Sequence, residues 1–341
     1  MNYLLLKMAP ITALLCLAFY APLHSFEEDS SLYFDEAPAF SIDPANIVTM
    51  SKSLHLNVDL LYWTSNQEGV EKYLSTTVTS PVDESSVRKF KSMDFDWRPG
   101  FRIGLGYLMS CGWDASSQWT HYQGHAHGHA SRPIEGDPDL HTSGHWNLNY
   151  NVLDTVLKTP WYCINSCFTI NYIAGLRAAS IHQKMKALAE YELPVESGST
   201  AANTLLNARF HGIGPLLGVT GDWAVRNGFS LYGDAKAALL FSYFKVNQSV
   251  HFLDTVADNE LSSDHSKSHV CQVALDLGAG IRWNRPLCLC GHETDLQLKL
   301  GWEHTQWFNF NQFGDSLSSK VSTSATDLMT DGLTFSVAFS Y

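Results

Sequence analysis

The chain has 341 residues, 45% hydrophobic, 12% aromatic and only 16% charged, with 22 Lys and Arg against 34 Asp and Glu for a net charge of −12. Ten Trp, 14 Tyr and 18 Phe exclude a disordered chain, the acidic balance disfavours a nucleic-acid partner, and a mean hydropathy of −0.11 excludes a bundle of membrane helices. Soluble domains carry about 25% charged residues; here Gly, Ser, Asn and aromatics fill the gap, a composition that points to β structure.

Residues 1–25 carry Lys7, an apolar run from Met8 to Ala21 and the small residue Ser25. This is the pattern of a secretory signal peptide, and it predicts Phe26 as the mature start. A lipoprotein reading would use Cys16, but Leu15 stands where a small residue is expected. Pro10 and Pro22 bracket the run and argue against an uncleaved anchor. Residues 26–52 are acidic and hold Pro38 and Pro44, as expected for a flexible leader. Of seven cysteines, six remain after Cys16: Cys111, Cys163, Cys167, Cys271, Cys288 and Cys290. An exported chain with an even count can form disulfides, whose connectivity one sequence does not reveal.

From residue 53 the dominant period is two. Leu333, Phe335, Val337, Phe339 and Tyr341 alternate with Thr334, Ser336, Ala338 and Ser340. Phe101, Ile103, Leu105 and Tyr107 alternate with Arg102, Gly104 and Gly106, and Val273 to Trp283 and Leu296 to Trp302 do the same. Ten strands are predicted, at 54–65, 95–109, 112–124, 145–158, 165–183, 205–224, 227–248, 266–284, 291–307 and 331–341. Short connections (110–111, 159–164, 225–226, 285–290) alternate with long ones (66–94, 125–144, 184–204, 249–265, 308–330). This is the layout of an all-β, antiparallel transmembrane barrel of about ten strands (range roughly 8–16), with short periplasmic turns and long extracellular loops. A β-sandwich would also alternate, but its strands are usually about five or six residues long. Trp63, Trp97, Trp146 and Trp307 at the long-loop ends, and Trp113, Trp161, Trp223 and Trp283 near the short turns, read as two aromatic girdles. Asp59, Arg102, Asp234, Asp276, Arg282, Asp295, Lys299 and Glu303 are the candidate pore-lining residues. Pro215 predicts a bulge or break in the sixth strand.

Leu60-Leu61-Tyr62-Trp63, the long stretch Asp94 to Tyr107 with Gly112-Trp113-Asp114, Phe210 to Pro215, Phe229 to Gly233, Gly301-Trp302-Glu303 with Trp307-Phe308-Asn309, and Gly332 to Phe335 together resemble the Legionella-type pore-forming major outer membrane proteins. The resemblance spans residues 53–341. It implies a pore passing small hydrophilic solutes across a Gram-negative outer membrane. The family also has chlamydial members, whose envelopes rely on disulfide-linked proteins, a setting that would suit the six cysteines. Outer-membrane lipid is the implied surrounding, and the aromatic end Tyr341 suits the barrel-assembly machinery. Disulfide-linked envelope proteins or a homo-oligomer are the further partners this setting would allow.

Two other functions fit parts of the sequence. One is a disulfide-held structural envelope protein with little flux, since Cys111, Cys163, Cys167, Cys288 and Cys290 all fall near the short turns and only Cys271 near the other rim. The other is an outer-membrane surface hydrolase built from loop His and Asp. The sequence has no Gly-x-Ser-x-Gly, His-Glu-x-x-His or P-loop, so neither an enzyme nor a cofactor is expected. His125-x-His127-x-His129 could chelate a soft divalent metal; the alternative is a polar Gly-rich loop without an ion.

Overall fold

A computed structural model describes residues 53–67, 76–79, 86–89, 93–134, 137–192, 199–253, 258–289, 292–311 and 326–341. Ten long strands form the wall: β1 (Ser53–Gln67), β2 (Arg98–Leu108), β3 (Asp114–Ile134), β4 (Asp137–Lys158) and β5 (Phe168–Glu192), then β6 (Ser199–Arg226), β7 (Phe229–Leu253), β8 (Asp258–Leu289), β9 (His292–Asn311) and β10 (Thr326–Ser340). Each pairs antiparallel with its neighbour in sequence. β10 returns to pair with β1, from His55 opposite Ser340 to Gln67 opposite Leu328, and closes the barrel. Short pieces add to it: Asp94–Phe95 pairs β3, Tyr162–Cys163 pairs β5, and Thr76–Thr79 forms a separate hairpin with Ser86–Lys89. No helix among the described residues is long and apolar enough to cross a membrane. The predicted signal peptide (1–25) and leader (26–52) lie outside the described residues.

The periplasmic ends follow the predicted turns closely. Asn227 and Gly228 both have positive φ (55° and 81°) and join β6 to β7, the Asn-Gly type I′ turn whose twist matches that of the flanking strands. The turn therefore sits two residues later than the expected 225–226. The outer ends differ more. Most of 125–144, 184–204 and 249–265 continues as strand instead of forming long loops. The His125-x-His127-x-His129 stretch is thus part of β3, because its alternation is itself strand periodicity. Pro215 causes no bulge: Ile213 opposite Phe241 and Leu216 opposite Ala238 keep one register, so only the local ladder is lost.

The strands change polarity part way along, and β4 displays it most directly. In its lower part Leu153 and Leu157 point outward and Asp154 inward. Above, Trp146, Leu148, Tyr150 and Val152 are buried inside while Asn147, Asn149 and Asn151 face out. The phase flips at the adjacent pair Val152-Leu153. In β1, Leu54, Leu56, Val58, Leu60 and Tyr62 are exposed, whereas Leu61 and Trp63 are buried. The periplasmic half is therefore apolar outside and polar within, as a membrane span requires. The outer half is polar outside and apolar within, like a water-soluble barrel.

This inversion corrects the girdle assignment. Trp63, Trp146 and Trp307 are buried in the interior, because they occupy the inward parity of their strands. Of the four expected there, Trp97 does join the outer belt, stacked on Tyr62 (5.5 Å) and edge-on to Trp302 (5.8 Å). At the other rim Trp113 and Trp223 are exposed and Phe229 packs on Trp283, but Trp161 turns into the lumen. β8 runs for 32 residues; at about 3.3 Å rise per residue and a tilt of about 40° it covers roughly 80 Å, against an apolar band of about 25 Å. Much of the wall stands outside the bilayer, where an apolar interior must supply the stabilisation.

The outer core packs Phe210 against Trp307 (5.7 Å), Phe310 (5.0 Å) and Phe244 (6.2 Å), with Tyr150 edge-on to Trp307 (6.1 Å). Truncating Trp307→Ala is expected to cost about 3–5 kcal/mol, more than Trp97→Ala on the half-exposed outer belt. Urea unfolding of vesicle-reconstituted protein, followed by Trp fluorescence, checks the order.

Candidate functional site

The inward parity of the lower strands collects the charged residues. A cavity of about 550 Å³ occupies the periplasmic half of the lumen. Seven of the eight predicted residues line it: Asp59, Arg102, Asp234, Arg282, Asp295, Lys299 and Glu303. The eighth, Asp276, borders a void of about 40 Å³ at the upper end of this zone. Sequence parity placed them: Asp59, Arg102, Asp276, Arg282 and Lys299 have large apolar residues on both sides, and Asp295 and Glu303 on one.

Two arginine clusters cross the lumen at mid-height. Arg102 donates to Glu303 through both terminal nitrogens (2.9 and 2.7 Å), to Asp59 (3.2 Å) and, through Nε, to Thr120 Oγ1 (3.0 Å). Its guanidinium lies 5.5 Å from the Trp63 ring. Arg177 donates to both oxygens of Asp154 (2.7 Å each) and also to Asp276. Bidentate Arg–carboxylate pairs of this kind are the strong, geometrically specific ones. Nearer the periplasm, Arg282 pairs with Asp222 and faces the rings of Tyr232 (5.5 Å) and Trp161 (5.8 Å). Lys299 sits 5.6 Å from Tyr232, and Thr220 donates to Asp234 (2.7 Å). At the mouth, Asp114 takes Lys158 (3.2 Å) and His55 (3.5 Å).

Arg177, Asp154 and Asp222 were missing from the sequence-based set. Asp154 alternates with Leu153 and Thr155, so its parity was readable, but its strand changes phase two residues away. Above the arginine layer, Trp63, Tyr122, Tyr150, Phe210, Trp307 and Leu328 are buried in the outer core. A side-chain layer and an apolar layer thus lie in series above the polar chamber.

The remaining candidates stand apart from the lumen. His125, His127 and His129 share the outward face of β3; His127 approaches Asp96 (3.9 Å) and His129 meets His145 edge-on. Among the described residues no three His, Cys, Asp or Glu are grouped so as to hold a metal ion. Cys111, Cys163, Cys167 and Cys271 are exposed with free thiols. The first three lie at or beside periplasmic turns, and Cys271 stands on β8 opposite Phe241. Cys288 lies opposite Glu293 near the end of β8, and Cys290 lies outside the described residues.

Residues 46–341 match the family described as the Legionella pneumophila major outer membrane protein precursor. No curated protein matches the chain. Among solved structures, the chain is similar to the outer membrane protease OmpT of Escherichia coli (11% identity, TM-score 0.34, 86% of this chain and 99% of that one). It is also similar to a Pseudomonas aeruginosa FadL homologue (7%, 0.27, 87% and 92%) and to the Pseudomonas putida toluene transporter TodX (8%, 0.18, 88% and 92%).

Arg177→Leu would leave Asp154 and Asp276 facing each other without their cation, and is expected to cost about 3–5 kcal/mol. Replacing all three by Leu is expected to recover most of that loss, because apolar packing substitutes for a buried ion cluster. Equilibrium unfolding of both variants in vesicles measures the difference.

Proposed function

The chain belongs to the family of the Legionella pneumophila major outer membrane protein, and on that premise we propose that it is a narrow, gated pore for small hydrophilic solutes. It resides in the outer membrane as a closed β-barrel. The observation that supports conduction is the charged crossing at mid-lumen. A barrel selected only for stability would fill its middle with apolar side chains, since a buried ion cluster is often no more stabilising than hydrophobic packing. Charges that can exchange partners are instead what an opening gate uses: Glu303 can leave Arg102, and Asp276 can leave Arg177, for the lysines of the chamber, Lys236 and Lys299. On this reading the arginine layer and the aromatic layer above it are the gate, with only a void of about 40 Å³ beside the arginines.

The same reading treats residues 1–25 as a cleaved signal peptide, Tyr341 as the aromatic end offered to the assembly machinery, and the chain as without catalysis or cofactor. For the last of these, the support is that Asp59, Asp154, Asp222, Asp276 and Glu303 each face an arginine, as expected for wall residues.

A second reading, a disulfide-linked structural protein of the envelope, is favoured by one observation: Cys111, Cys163 and Cys167 present exposed thiols on the periplasmic side. Non-reducing against reducing electrophoresis of intact envelopes tests it, and one monomer band in both lanes would refute the cross-link.

For the pore, planar-bilayer recording is the test. Wild-type protein is expected to give small, infrequent conductance steps. Phe210→Ala with Trp307→Ala is expected to lengthen the openings several-fold by thinning the apolar layer. Silence from both proteins, each verified as folded, would sink the pore.

A further inference from the structure

The outward face of the barrel bears a second charge pattern that has no part in conduction. On β5 to β8, the hydrocarbon-facing residues end in Ile213 and Phe241. Two outward rows above them, past His211, Tyr243 and His269, one row across four paired strands reads His182, Arg209, Lys245, Lys267. All four occupy the outward parity, and Lys184 and Lys186 continue it upward on β5. Arg209 is thus directly opposite Lys245, and Lys245 directly opposite Lys267. Like charges placed opposite each other on a sheet repel, and cations beside lipid are costly unless neutralised. Yet among the described residues none of Lys184, Lys186, Arg209, Lys245 or Lys267 takes part in an ion pair. On the other side of the barrel the outward charges are balanced within the protein: His304 pairs with Asp331, and Arg98 and His127 meet Asp96.

Phe229 at the periplasmic end and Phe241 lie twelve positions apart on β7, which spans roughly 30 Å at about 3.3 Å per residue and a tilt of about 40°. The His211, Tyr243 and His269 row therefore meets the outer hydrocarbon boundary, and the cation row lies just above it, at headgroup height. Just beneath it a surface groove of about 630 Å³ is lined by His211, Ile213, Phe241, Tyr243 and His269. Its lower wall is apolar, and its upper wall offers imidazole and phenol groups.

We propose that this face binds the phosphorylated headgroup of an outer-leaflet glycolipid, with phosphate against Arg209, Lys245 and Lys267 and an acyl chain along Ile213 and Phe241. Charge complementarity selects the occupant. Phosphate supplies the counter-charge that the row lacks among the described residues, the long stems of the lysines let their heads reach it, and the groove takes the apolar part. The site depends only on the barrel's place in the outer membrane, so it stands whether or not the lumen conducts.

The test is binding of a bisphosphorylated lipid A to the purified, detergent-solubilised full chain, read by native mass spectrometry. The comparison protein is Lys184→Gln/Arg209→Gln/Lys245→Gln/Lys267→Gln, and the control is Arg226→Gln/Arg285→Gln at the periplasmic end. The quadruple variant is expected to bind at least about tenfold more weakly and the control as wild type, with wild-type affinity falling as salt rises. If the quadruple variant does not fold, the salt dependence and the dephosphorylated lipid, both measured on wild type, decide. Equal binding by wild type and quadruple variant, or tight binding of a dephosphorylated lipid A, overturns the proposal. So does complete displacement by millimolar inorganic phosphate, which would make the row a simple anion site and not a lipid site.

Discussion

A peptide group in hydrocarbon has no water to bond, and each unpaired N–H or C=O there costs several kcal/mol. That constraint organises the rest of the molecule. It forces β10 back onto β1, so every span has two partners and no edge. Closure then separates every residue by parity into one that meets lipid and one that meets the lumen. With ten strands the enclosed space is narrow, and small barrels fill it with side chains. What fills it differs by height, because the environment outside differs by height.

Within the bilayer the outer face is already apolar, so the interior is free to be polar and holds the chamber and its arginines. Beyond the bilayer the wall meets water on its outside, and an interior of Trp, Phe, Tyr and Leu stabilises it by ordinary burial. The arginine clusters occupy the boundary between these regimes. Their guanidinium groups suit it: Arg102 has Thr120 and two carboxylates as polar partners and the Trp63 ring close by. The plane of the arginine clusters is thus also the plane where the two kinds of stabilisation meet.

The strand number, the periplasmic turns and the chamber residues were legible in the sequence because each lower strand repeats one signal, apolar out and polar in, for many residues. Asp59, Arg102 and Lys299 could be assigned inward from their neighbours alone. The outer half was not legible in this way. There the apolar residues swap parity, so Trp63, Trp146 and Trp307 looked like girdle residues at strand ends, and runs such as Lys184-Met185-Lys186-Ala187 looked like loop. The marker that distinguishes them is local and small: two adjacent apolar residues, Val152-Leu153 in β4 or Leu60-Leu61 in β1, at which the alternation changes phase. Arg177 escaped for the same reason. Its partners come from β4 and β8, and no single-strand pattern reports an ion pair between strands.

The switch of greasy surface from the outside to the inside of one continuous wall has a consequence for position. An ordinary span resists vertical displacement only through the mismatch of its apolar band with the bilayer. Here sinking would drag Asn147, Asn149 and Asn151 into hydrocarbon, and rising would lift Leu153 and Leu157 into water. Both directions are opposed by residues of the same strand, so the wall itself registers the height of the barrel in the membrane.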